Sequence, residues 1–160
     1  MNTETDTTPL CIDLDGTLVR SDTLVESLLV VLKQRPWLVL LLPLWLLRGK
    51  AELKRQIAAR AELDPGTLPY HTDLVDWLRT QAAAGRKIYL ATAADQKIAK
   101  SVADHLGLFD GVLASGNGHN LKGKNKQAAL QQEFGSGGYD YAGNDTADLA
   151  IWADCRQADR

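Results

Sequence analysis

Two carboxylates one residue apart stand near the start of the chain. Asp13 and Asp15 come directly after the apolar run 10–12 and are followed by Gly16 and Thr17. Because side chains at i and i+2 of an extended chain point the same way, both carboxylates can converge on one bound group. Such a pair repels itself unless a cation or a shared proton intervenes, and hard oxygen ligands suit Mg²⁺, which also binds phosphate. One aspartate can then attack phosphorus while the other acts as general acid and base.

The apolar run predicts a buried strand that delivers both aspartates at its carboxyl end, where open α/β sheets bind ligands. Three further apolar segments predict strands, each followed by a helical pattern, which indicates an α/β, Rossmann-like parallel sheet with right-handed crossovers. These strands are predicted at 87–92, 111–115 and 139–143, and the helices that follow them at 95–105, 123–134 and 144–152. The pattern shows no strand after the last helix, so we expect the chain to be the N-terminal part of a longer protein.

Helical patterns also fill the long segment between the first two predicted strands. We therefore predict a single domain over 1–160, with a core of 8–20 and 85–160 and an all-helical cap insertion at 21–84. No sequence pattern in the insertion indicates a particular substrate.

Composition narrows the functional classes. The chain has 160 residues, of which 45% are apolar and 24% charged, as expected for one soluble globular domain. A net charge of −2 offers no basic surface for nucleic acid. Cys11 and Cys155 have no metal-binding or redox spacing, and the polar N-terminus does not resemble a signal peptide. These features predict a cytoplasmic location.

One stretch of the insertion, residues 36–47, is apolar throughout. It is shorter than the roughly 20 residues that a transmembrane helix needs, and Pro43 divides it. Basic residues flank it on both sides, among them Arg35 and Arg48. Two interpretations are open: a buried core helix, or a segment lying on the inner face of the cell membrane or docked on a membrane domain.

The sequence Asp13-Leu14-Asp15-Gly16-Thr17 resembles the first motif of the haloacid dehalogenase (HAD) superfamily of phosphohydrolases. Three further motifs of that superfamily are matched in order along the chain. Thr92 closes the second predicted strand, as in the second motif, and Lys122 precedes a helix, as in the third, with Lys124 and Lys126 as competing candidates. The fourth motif matches 143–148, where Asn144 replaces the expected first acid.

The resemblance implies the HAD fold and a Mg²⁺-dependent phosphomonoester hydrolase that works through an aspartyl-phosphate. It implies Asp13 as nucleophile, Asp15 as general acid and base, and Asp148 as a supporting acid. The implied phosphate ligands are Thr92, Lys122, Gly16 and Thr17, and the implied metal ligands are Asp13, Asp15 and either Asn144 or Asp145.

A narrower resemblance covers segments throughout the chain, including 42–50, 104–109 and 120–123. These are similar to the phosphatase-like domain found N-terminal to UbiA-type prenyltransferases, in which Asn at position 144 is usual. The resemblance implies a membrane domain beyond the chain and a phosphorylated substrate that is a small molecule or is linked to a polyprenyl lipid. Two alternatives stay open: a catalytically weak accessory domain that docks on the prenyltransferase, and a phosphotransferase that uses an acceptor other than water.

Overall fold

A parallel sheet forms the centre of the computed structural model, which describes residues 7–159. Its five strands are β1 (Leu10–Ile12), β2 (Ile88–Asp95), β3 (Gly111–Ser115), β4 (Asp140–Ala142) and β5 (Ala158–Asp159). They lie in the order β3-β2-β1-β4-β5. The first strand is therefore central, with β2 and β4 parallel to it on either side. The α/β parallel sheet predicted from the sequence is confirmed.

The prediction that no strand follows the last helix was wrong. Strand β5 pairs in parallel with β4, but it has only two residues, too few to show a periodic pattern. Next to it, the Arg156 guanidinium donates to both oxygens of the buried Asp140 carboxylate, at 2.9 and 2.6 Å. Arg86 also donates to Asp140. These charged contacts attach the segment before β5 to its neighbouring strand.

Helices make up the regular secondary structure between β1 and β2, as predicted. It contains α1 (Thr23–Gln34), a 3₁₀ helix (Pro36–Leu41), α2 (Leu42–Leu47), α3 (Lys50–Arg60), a second 3₁₀ helix (Pro65–Thr67) and α4 (Thr72–Ala83). Asp22 caps α1, because its Oδ1 accepts from the backbone N–H groups of Leu24 and Val25. The exact limits of core and insertion, 8–20, 21–84 and 85–160, stay a prediction.

Helices cover both faces of the sheet, which buries β1 completely. The remaining helices are α5 (Gln96–Leu106), α6 (Lys124–Phe134), a 3₁₀ turn (Thr146–Asp148) and α7 (Leu149–Trp152). On one face Ile12 belongs to a cluster with Leu78 of α4 and Val102 of α5. On the other face Cys11 belongs to a cluster with Leu130 of α6 and Ile151 of α7. The carboxyl end of β1 is thus held from both sides.

The insertion has a small core of its own, in which Leu38 and Trp45 pack with Val31 and Ile57. The Arg60 guanidinium lies 4.8 Å from the centre of a Trp45 ring, a cation–π contact. Part of the apolar stretch 36–47 is therefore core, as one interpretation expected. Among the described residues, no helix has the length and apolar character needed to cross a membrane.

Candidate active site

The two aspartates of the first motif lie where β1 ends. Asp13 is only 6% exposed, and its backbone N–H donates to the Ala142 carbonyl of β4 at 2.9 Å. Gly16 then turns the chain with a φ of +75°, a conformation that side-chain-bearing residues rarely adopt. A Cβ at this position would also lie 2.6 Å from Nδ2 of Asn144. The turn after the aspartates thus favours glycine through its φ, and a larger residue would also have to displace the Asn144 amide.

Lys126, rather than Lys122, contacts Asp13. Its ammonium donates to Asp13 Oδ1 at 2.9 Å, to the Tyr141 hydroxyl at 2.8 Å and to Asp148 Oδ1 at 3.3 Å. Lys126 is 3% exposed and Asp148 is 1% exposed, so this cluster is buried. The structure therefore favours Lys126 among the three lysines that the sequence left in competition.

Burial controls the ionisation of Asp13. It raises the pKa of the Asp13 carboxyl to about 6, while the neighbouring Lys126 ammonium acts in the opposite direction. The carboxylates of Asp148 and Asp15 raise this pKa further. A second positive charge at the site would lower this pKa and so favour the ionised form that a nucleophile needs.

Asp15 is held by the insertion. Its Oδ1 accepts a hydrogen bond of 2.8 Å from the backbone N–H of Thr23, the first residue of α1. Burial raises the pKa of Asp15, and the bond from Thr23 opposes that shift. A carboxyl group with a raised pKa is suited to carry a proton to a leaving group.

A cavity of about 120 Å³ opens beside these residues, large enough for several water molecules. Its polar lining consists mainly of charged side chains, six carboxylates and three lysine ammonium groups. The carboxylates belong to Asp13, Asp15, Asp22, Asp95, Asp145 and Asp148, and the ammonium groups to Lys54, Lys122 and Lys126. Part of the lining comes from the helical insertion and part from the sheet domain, by which we mean the five strands with α5, α6 and α7.

Lys122 and Asp145 pair with each other at the mouth of this cavity, with 2.9 Å between Nζ and Oδ2. Both side chains are partly exposed, at 53% and 42%. The Lys122 ammonium lowers the pKa of Asp145 to about 2, with help from the backbone N–H of Ala147. Asp145 and Asp148 also form a capping box at the 3₁₀ turn. Lys122 thus lies at the site, but it pairs with Asp145 rather than with Asp13.

Asn144, Gly16 and Thr17 lie together on the other side of this turn, where they line a separate cavity with His71. The Asn144 amide donates to the Gly16 carbonyl at 2.8 Å, and the Thr17 hydroxyl donates to Asn144 Oδ1 at 3.4 Å. These three candidates adjoin the Asp13–Asp15 loop, but they are not part of the lining of the charged cavity.

Thr92 is fully buried within β2. Its hydroxyl oxygen accepts from the backbone N–H of Ala94 at 3.0 Å. The next two residues, Ala93 and Ala94, line the charged cavity. Thr92 therefore directly precedes two cavity-lining residues in the sequence, and its hydroxyl oxygen already accepts a hydrogen bond from the backbone.

Sequence reasoning missed Lys54 and left Lys126 as one of three competing lysines, although helical phase could have indicated both. Lys126 precedes the buried Leu130 by four residues, which places both on the inward face of α6. Lys54 precedes the buried pair Ile57 and Ala58 by three and four residues, and it also faces inward. A lysine on the apolar face of a helix is a candidate for a buried charge partner.

The donor chemistry of the cavity fits a divalent cation of the magnesium type. Among residues 7–159, no three histidine, cysteine or acidic side chains converge closely enough to hold a metal ion by themselves. Mg²⁺ keeps several waters and needs only one or two carboxylates beside a substrate phosphate. The lining offers the carboxylates of Asp13 and Asp15, and burial disfavours the charge of both.

No protein-family model matches the chain. The chain is 43% identical over 145 residues to an uncharacterized protein of Sinorhizobium fredii. The match covers 90% of the chain and 28% of that protein, so the chain spans little more than a quarter of the length of this relative.

Three solved structures share the fold at low identity. A substrate-bound phosphoserine phosphatase has a TM-score of 0.67 and 13% identity, and the match covers 96% of this chain and 85% of that one. A phosphoserine phosphatase described as a phospho-aspartyl intermediate analogue has a TM-score of 0.59 and 14% identity, with coverages of 95% and 85%. A haloacid dehalogenase-like family hydrolase of Streptococcus pneumoniae has a TM-score of 0.56 and 17% identity, with coverages of 96% and 84%. The chain therefore has the fold of the haloacid dehalogenase-type phosphatases.

Proposed function

We propose that the chain is a Mg²⁺-dependent phosphomonoester hydrolase that works through an aspartyl-phosphate intermediate. The observation that carries the proposal is the buried Asp13 carboxylate, which lies at the end of the central strand, bonded to Lys126, beside a charged cavity. The solved phosphatases with this fold support it, one of them described as an analogue of a phospho-aspartyl intermediate.

In the first half-reaction, an Asp13 oxygen bonds to phosphorus while the bond from phosphorus to the alcohol oxygen breaks. Asp15 gives its proton to that leaving oxygen, for which its raised pKa suits it. In the second half-reaction, Asp15 takes a proton from water as the water oxygen attacks phosphorus, and Asp13 is released. Catalysis of this kind is mostly positioning and electrostatic stabilisation.

In this proposal, Lys126 and Lys122 neutralise the charge of the phosphoryl oxygens. The end of β2, where Thr92 lies, positions these phosphoryl oxygens. The metal would be held by the Asp13 carboxylate, the Asp15 carbonyl and a third ligand from Asn144 or Asp145. When bound, Mg²⁺ would neutralise phosphoryl charge. Asp148 supports the site by holding Lys126.

Hydrolysis of p-nitrophenyl phosphate with and without Mg²⁺ tests the proposal. Asp13→Asn should abolish turnover and Asp15→Asn should reduce it at least a hundredfold, because general acid–base catalysis contributes about that much. Asp76→Asn, at an exposed position of α4, is the matched control and should keep full activity. Wild-type turnover by Asp13→Asn would refute the mechanism.

The same assay addresses both alternatives. An accessory domain would show no Mg²⁺-dependent turnover, while the intact charged cluster of Asp13 and Lys126 favours activity. A phosphotransferase would form a new phosphate ester when an alcohol such as glycerol is added, at the expense of free phosphate.

We further propose that the chain works at the inner face of the cell membrane, on a lipid-linked phosphate such as a polyprenyl-linked sugar phosphate. Within 36–47, Trp37, Leu40 and Leu47 are 60%, 78% and 86% exposed, although Trp45 is buried. No acidic residue occurs between Glu26 and Glu52, whereas four basic residues do. An exposed apolar surface in a basic segment matches an anionic lipid surface.

Sedimentation with vesicles tests the membrane proposal. The chain should sediment with vesicles that contain anionic lipid and less with neutral ones. The double variant Leu40→Glu/Leu47→Glu should stay in the supernatant, while Trp77→Glu, at an exposed position of α4, should behave as the unmodified chain. Absence of the unmodified chain from every pellet would refute it. A UbiA-type membrane domain as partner stays a prediction.

A further inference from the structure

Lys54 reaches from the insertion to the sheet domain. Its ammonium, on α3, donates to the Ala93 carbonyl of β2 at 2.6 Å and to Asn120 Oδ1 at 2.9 Å. Ser115 contacts both of these acceptors, since its hydroxyl lies 2.8 Å from the Ala93 carbonyl and 3.4 Å from Asn120 Oδ1. The Ser115 hydroxyl also accepts from the Leu121 backbone N–H at 2.8 Å. The position of the Lys54 ammonium is therefore determined by the sheet domain.

The same ammonium lines the charged cavity that also contains Asp13 and Asp15. An ammonium group has three N–H donors, and the two acceptors found within the described range use two of them. The third donor is available to an oxygen in the cavity. Burial lowers the pKa of Lys54, whereas Asp15 and Asp22 raise it, so nearby carboxylates help to keep it charged.

We propose that Lys54 is a substrate-binding residue of this site, whose ammonium donates to a phosphoryl oxygen of the phosphomonoester at Asp13. The proposal rests on the proposed function, and it adds a phosphate ligand from the insertion to those from the sheet domain. Two fixed acceptors hold the ammonium at the cavity wall, so the group is already positioned before a phosphate enters.

A second lysine crosses the same boundary in the opposite direction. Lys97, on α5, donates to the carbonyls of Ala58 and Ala61 at the end of α3, at 2.8 and 3.5 Å. It lines a different cavity, with Leu63. Both lysines thus join the insertion to the sheet domain, but only Lys54 lies at the charged cavity. Comparing them separates substrate binding from mere attachment of the insertion.

Titration of inorganic phosphate into the Mg²⁺-loaded chain, followed by calorimetry, tests the proposal. A hydrogen bond between charged groups is worth enough that Lys54→Met should weaken phosphate binding about tenfold or more. Lys97→Met, the matched control, should bind phosphate as the unmodified chain does. Lys54→Arg should recover part of the lost affinity. With p-nitrophenyl phosphate, Lys54→Met should raise KM by a similar factor.

Thermal unfolding of each variant checks that it folds, and Lys54→Gln, which retains a neutral donor, replaces Lys54→Met if the latter does not. Equal phosphate affinity in the Lys54 variant and the unmodified chain would overturn the role of Lys54 alone. Equal weakening in the Lys54 and Lys97 variants would also overturn it, because it would show attachment only. If the unmodified chain binds no phosphate, both this inference and the proposed function fail.

Discussion

Replacing the candidate nucleophile should stabilise the metal-free chain at neutral pH. Burial raises the pKa of Asp13 from 3.8 to about 6, so ionising this carboxyl costs folding free energy. A shift of about 2 units corresponds to roughly 3 kcal/mol, at ~1.36 kcal/mol per unit. Asp13→Asn removes the charge with almost no change in shape. We expect it to raise the free energy of unfolding at pH 7 by about 1–3 kcal/mol.

The stability difference between Asp13→Asn and the unmodified chain should depend on pH. Below the unfolded pKa of 3.8, Asp13 is protonated in both states and the penalty vanishes; above the folded pKa of about 6 it is complete. The stability of the unmodified chain should therefore fall relative to Asp13→Asn as pH rises from about 4 to 6. Asp110, whose pKa is lowered by its bond with Lys87, is the opposite control. Asp110→Asn should be neutral or destabilising at pH 7.

Thermal unfolding across pH 4 to 7, with and without Mg²⁺, measures these differences. For a chain of this size, 1–3 kcal/mol corresponds to an increase in Tm of roughly 2–10 °C. Mg²⁺ should stabilise the unmodified chain more than Asp13→Asn, because the variant lacks the carboxylate ligand. The argument that burial disfavours this charge would be refuted if Asp13→Asn were less stable than the unmodified chain, by the same amount at pH 7 and at pH 4.

Three further predictions concern residues around the site and in the insertion. Lys126→Met leaves Asp13 and Asp148 buried without their cation, so denaturant titration should show a loss of about 3–5 kcal/mol. Asn144→Asp should tighten Mg²⁺ binding in calorimetric titration by adding charge, and unchanged affinity would point to Asp145 as the ligand. Trp45→Ala should cost about 3–5 kcal/mol in the same denaturant assay, because Trp45 is buried in the core of the insertion.

The sequence was informative where a strand ends and less so where a helix begins. Period-two alternation placed Asp13 and Asp15 together, and the parallel sheet followed from alternating strands and helices. The choice among Lys122, Lys124 and Lys126 needed the inward face of α6, which the apolar Leu130 marks four residues after Lys126, since each residue rotates a helical side chain by about 100°. Contacts across long sequence separations, such as that of Lys54 with Asn120, leave no local pattern at all.

The net charge of the cavity lining indicates why the site would need a cation. Six carboxylates face three ammonium groups there, an excess of three negative charges when all are ionised. A phosphomonoester dianion would add two more, and like charges confined in a partly buried site repel strongly. Burial raises the pKa values of Asp13, Asp15 and Asp95, so the site disfavours carrying all of this negative charge. A divalent cation bound with the phosphate would cancel the charge that the substrate brings, and it would lower the pKa of Asp13, which favours the ionised form required for attack. Phosphate binding by the unmodified chain should therefore depend on Mg²⁺. Equal affinity for phosphate with and without the metal would show that the lysines alone balance the site.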